Sequence, residues 1–114
     1  PGLLANPCGG IAELAHEWSE LGDYLEEHQG QPQGPPWVAY VSQHEKGLLQ
    51  RSVPLVRTSM ASSRRFQKLG ARLLGFLIEL DRIDDDADWS ADISLMLRIE
   101  KTIRKISDEC SSYF

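Results

Sequence analysis

The sequence predicts an all-α fold: an up-and-down bundle of four main helices plus a short one. Three observations carry this. Ile93, Met96, Ile99, Ile103, Ile106, Cys110 and Tyr113 recur every three or four residues, the period of a helix that buries one stripe. Ile11, Leu14, Trp18, Leu21 and Leu25 keep the same rhythm near the other end. Between them no stretch alternates as a half-buried strand would; residues 37–41 (WVAYV) alone carry some β character.

Residues 1–10 read as an irregular leader, broken by Pro7 and the Gly9–Gly10 pair, and residues 11–114 as a single domain. A first helix spans about 11–28. Glu13, Glu17, Glu20, Asp23, Glu26 and Glu27 cover its outer face, and acids in the first turns suit the helix dipole. Residues 29–36 (QGQPQGPP) form the clearest linker. Pro36 then suits the first position of a second helix, where a missing N–H costs nothing. Trp37, Val38, Val41, Leu48 and Leu49 give that helix its face.

Pro54 should interrupt it, because an internal proline removes a hydrogen bond and crowds the preceding turn at about 3 kcal/mol. A break near Ser52 and a short helix over 53–59 are therefore expected. A third helix over 62–83 is apolar nearly all round in its second half, which predicts a central position. Gly70 and Gly75 inside it should permit close approach of a neighbour. Residues 84–88 (DDDAD) form a turn in which Asp86 or Asp88 can cap the last helix, expected from residue 89 or 90 to 112.

At 114 residues, 41% hydrophobic and 25% charged, the chain is one ordinary globular domain. No apolar run reaches the roughly 18 residues that a membrane span needs. The net charge of −5 argues against a general nucleic-acid binder. Two cysteines, Cys8 and Cys110, lie too far apart in sequence for a metal motif. Cys110 reads as a small hydrophobe in the last helix, with a disulfide between the two as the alternative.

No catalytic motif survives inspection. An EF-hand starting at Asp84 would need glycine at its sixth position and glutamate at its twelfth, where this chain has Trp89 and Leu95. Glu13 and His16 make one Glu-x-x-His step, without the second step that a di-iron bundle requires. His16-Glu17 is followed at the zinc-protease position by Glu20 instead of histidine. His16, His28 and His44 read as surface residues. No serine sits in a glycine-flanked elbow and no glycine-rich phosphate loop follows a strand. No cofactor, metal or enzymatic activity is expected.

The charges are segregated instead. The first helix is acidic, whereas Arg57, Arg64, Arg65, Lys68 and Arg72 make the next-to-last helix basic, and Arg98, Lys101, Arg104 and Lys105 add to this from the last. These faces are either simply solvated, paired internally with an acidic first helix packed alongside, or a basic groove. Such a groove would take an acidic peptide, a phosphorylated segment or a nucleic-acid backbone, of which a protein partner suits the overall acidity better. The functional expectation is a non-enzymatic protein-interaction module, of the adaptor or scaffold kind, inside the cell (with secretion left open). An apolar groove beside the third or fourth helix would hold an acidic or amphipathic segment, flanked by Arg64, Lys68, Arg72, Arg98, Lys101 and Lys105. Trp37 and Trp89 would serve as aromatic anchors. The alternatives are a homodimer seam, since Leu95 and Leu97 lie off the main stripe of the last helix, and a lipid or small ligand between helices.

Overall fold

The computed structural model describes residues 9–28, 30–31, 36–83 and 90–113. They form four helices and no strand: α1, Gly9–His28; α2, Pro36–Ser62; α3, Arg65–Arg82; and α4, Ser90–Tyr113. The all-α bundle is therefore the fold. Among the described residues each helix packs on two others, in a closed ring α1–α2–α3–α4–α1, and the diagonal pairs have no Cα atoms within 8 Å of each other. The body measures 48 × 22 × 19 Å. Since 27 residues of α-helix reach about 40 Å, the rod is about one helix long and the helices lie side by side.

One hydrophobic core runs its length. Ile11, Leu14, Trp18, Leu21 and Leu25 enter from α1, and Trp37, Val41, Leu48 and Val56 from α2. Phe66, Leu73, Leu77 and Leu80 come from α3, and Met96, Ile99, Ile103 and Ile106 from α4. A polar link crosses this core: the indole N–H of Trp18 donates to Ser52 Oγ at 3.0 Å. The tight α2–α3 turn is held by the Arg65 amide, which donates to Ser63 Oγ at 3.2 Å.

The helix does not break at Pro54; α2 runs through it. Pro54 lies on the exposed face, where water can serve the carbonyl left without its N–H. The buried row Leu48, Ser52, Val56, Ser59 continues unbroken on the other side, so packing outweighs the local cost. The short helix over 53–59 is a continuation of α2.

Nor is α3 central. A ring has no central helix, and Ile78 stands 51% exposed while Leu74 and Phe76 are half-buried. Of the two glycines in α3, only Gly70 is used for close approach: a Cβ there would lie 2.3 Å from Met60 Cγ. Gly75 faces open space.

Cys110 is not a free thiol in a helix. It is disulfide-bonded, and the sequence holds one other cysteine, Cys8, which lies outside the described residues, as do residues 1–8 of the leader and the 84–88 turn. Gly9 and Gly10, read as leader, belong to α1.

Candidate functional site

The way antiparallel helices meet decides which side chains share a seam. In α1, Glu17 and Tyr24 sit one residue before the buried Trp18 and Leu25; in α2, Tyr40 and Arg51 sit one before Val41 and Ser52. These are the residues that meet across α1 and α2. Arg51 makes a two-pronged ion pair with Glu17, one bond at 2.9 Å, and the Tyr24 and Tyr40 rings lie 4.7 Å apart. The α2–α3 seam uses the opposite edges. There Leu49 and Val53, each one after a buried residue, line a shallow depression with Ile78, which follows Leu77. By elimination α3 turns its other edge to α4: Arg65, Leu69, Arg72, Phe76 and Glu79. The matching edge of α4 carries Leu95, Arg98, Thr102, Lys105 and Glu109, each one residue before a buried one.

Helix position places the predicted cations on facing edges of α3 and α4. Arg72, Arg98 and Lys105 border the seam, with Arg64, Lys68 and Lys101 a step further out. All six are exposed, and none is among the ion pairs formed by the described residues. Half-buried Leu69 and Phe76 supply apolar surface at its floor. On α4, Arg104 is taken up by Glu100 four residues earlier, at 2.8 Å.

Helix α1 has no Cα within 8 Å of α3 but packs along α4; among the described residues its cross-helix ion pair is to Arg51 of α2. Those hydrogen bonds to Arg51 hold the Glu17 carboxyl below its ordinary value, with partial burial opposing, and raise that of Arg51. Arg51 escaped the sequence reading because nothing in its neighbourhood distinguishes it from any exposed helical cation.

Trp37 is not available as an anchor. It is 5% exposed and part of the core, its ring 5.9 Å from that of His28. Trp89 lies outside the described residues. His16 is exposed and pairs with Glu20 Oε1 at 2.8 Å, but His28 and His44 are half-buried in an aromatic seam. His28 stacks on Tyr24 with 4.1 Å between ring centres, and Tyr40 lies 5.4 Å from His44. His28 Nδ1–H donates to the Tyr24 carbonyl at 2.8 Å; a carbonyl only accepts, so Nδ1 carries the proton. The signal was legible, since Tyr24/His28 and Tyr40/His44 are both i, i+4 pairs.

No protein-family model, no curated protein and no solved structure matches this chain.

Among the described residues no group of three or more His, Cys, Asp or Glu side chains could hold a metal ion, and no helix is long and apolar enough to cross a membrane. Of the off-stripe leucines on α4, Leu95 is 6% exposed and packed within the chain, whereas Leu97 is 48% exposed. The most enclosed of the depressions described has a volume of about 190 Å³ and is bounded by Ser42, Glu45, Lys46 and Asp81 beside Leu49 and Leu80. That is below the roughly 300 Å³ of a small-molecule pocket; the larger hollows, about 510 Å³ beside His16, Glu17 and Arg51 and about 540 Å³ beside Asp23, Glu26 and Glu27, are open, charged surface.

Proposed function

We infer that this bundle is a non-enzymatic protein-interaction module that docks an acidic or amphipathic segment along the α3–α4 seam. The observation that carries this is the row of six exposed cations, Arg64, Lys68, Arg72, Arg98, Lys101 and Lys105, without ion-pair partners among the described residues. A row of cations in a chain of net charge −5, with Glu79 and Glu109 at its ends, would raise the encounter rate and help fix the register of an acidic partner. Leu69 and Phe76 would supply the apolar part of the contact. The disulfide at Cys110 favours an oxidising compartment, where the sequence alone pointed inside the cell.

The test is fluorescence anisotropy with a labelled amphipathic Glu/Leu peptide. Saturable binding, weakened at least tenfold by Arg64→Glu/Lys68→Glu/Arg72→Glu and falling with added salt, supports the module. Binding that ignores the charge reversal removes it.

A second reading, homodimerisation, draws on the exposed Leu97. Light scattering after size-exclusion chromatography separates the two. A dimer that Leu97→Glu returns to monomer makes α4 the functional surface.

A further inference from the structure

The opposite seam carries the opposite chemistry. We propose that the outer α1–α2 seam, centred on Tyr24 and Tyr40, binds the guanidinium or ammonium groups of a basic segment of a protein partner. This site is independent of the α3–α4 reading, and its ligand has the reverse charge.

Two separate features of the seam converge. The first is aromatic surface left open. Tyr40 is 47% exposed, and its ring, 4.7 Å from that of Tyr24 and 5.4 Å from that of His44, continues through Tyr24 to the stacked His28. Trp37, the largest ring of the region, is spent on the core, so the tyrosines and histidines form the outward part. An aromatic face attracts a cation through its quadrupole, and arginine stacks on it as well.

The second feature is charge. Helix α1 carries six acids and no lysine or arginine. Glu20 and Glu27 stand four residues before and three after Tyr24, the spacings that put side chains beside one another on a helix, and both are exposed. Glu17 is already neutralised by Arg51, which closes the seam at that end. A cation seated over Tyr40 and Tyr24 would therefore meet ring faces below and, at the rim, the Glu27 carboxylate and that of Glu20, whose Oε1 already pairs with His16. An acidic ligand would meet neither an exposed lysine nor arginine from α1.

Arginine is the better fit of the two cations. Its planar group can lie on a ring and offer its edge to a carboxylate at once, whereas an ammonium group is a point charge.

The experiment titrates the intact protein with an amidated Gly-Arg repeat peptide, using a Gly-Lys repeat and a Gly-Glu repeat as controls, and follows backbone amide shifts. The expected result is saturable binding that moves the amides of Tyr24, His28, Tyr40 and His44, tighter for Arg than for Lys. Tyr40→Leu keeps apolar bulk but removes the ring, and should weaken binding about two- to fivefold. Glu20→Gln/Glu27→Gln removes the rim charge, at the cost of the exposed Glu20–His16 pair, and should weaken it further, while neither variant alters binding of an acidic peptide to α3–α4. Arg-peptide binding that Tyr40→Leu leaves intact, that does not saturate, or that maps to other amides would overturn the proposal. Should Tyr40→Leu perturb the fold, the glutamine pair decides alone: unchanged affinity refutes the site.

Discussion

Replacing single glycines by alanine should give opposite results at Gly75 and Gly70, although both lie inside α3. At Gly75 an added Cβ meets nothing within 4 Å. The only consequence is the helix-propensity difference, a gain of about 1 kcal/mol, or roughly 4–6 °C in Tm for a chain of this size. At Gly70 the same methyl would lie 2.3 Å from Met60 Cγ and 2.7 Å from Met60 Sδ, with Val56 Cγ1 at an ordinary 3.5 Å. Overpacking of that kind costs about 1–3 kcal/mol, so Gly70→Ala should cancel or exceed its own propensity gain. The two variants should differ by about 1–3 kcal/mol in chemical denaturation. Because Met60 is the single obstacle, a double-mutant cycle is diagnostic. In a Met60→Ala background, Gly70→Ala should become stabilising by about 1 kcal/mol, as at Gly75. A Gly70→Ala variant as stable as Gly75→Ala in the wild-type background would refute the claim that α2 and α3 meet closely there.

Three further outcomes follow from the geometry. Ser52→Ala should cost about 1–3 kcal/mol by stranding the buried Trp18 indole N–H, and Trp18→Phe added to it should cost less than the sum of the two single changes, read by urea denaturation. Glu17 has a carboxyl held below its ordinary value by Arg51, so its contribution is present above the unfolded-state value near 4.3 and is lost as pH falls through the folded one. Glu17→Gln should accordingly lower Tm at pH 7 and make no difference at pH 2. Reduction with dithiothreitol should destabilise the protein by about 2–5 kcal/mol, the usual worth of a native disulfide, and a Tm unmoved by reductant would show that Cys110 contributes nothing.

The fold was legible because its signal is periodic. The α1 and α4 stripes fix two helices at 3.6 residues per turn, and the Gly/Pro linker and the aspartate run punctuate them. Pro54 misled because a local penalty was weighed without knowing that its face is exposed while Ser52 and Val56 hold the same turn in the core. Helix α3 misled similarly: Leu74, Phe76 and Ile78 widen its stripe without burying its back. The six cations could be read as helical rows, but not their seam, since that depends on which edge of α3 faces α4. Trp37 shows the limit most sharply, because an aromatic at a helix start looks the same in sequence whether it anchors a partner or closes the core.

The central claim is that the bundle presents a cationic docking seam between α3 and α4. Its most direct test is amide-shift mapping during titration with the Glu/Leu peptide. The largest shifts should fall on residues 64–76 and 98–105 and vanish in Arg64→Glu/Lys68→Glu/Arg72→Glu. Shifts confined to α1 and α2, or none at saturating peptide, would contradict the claim.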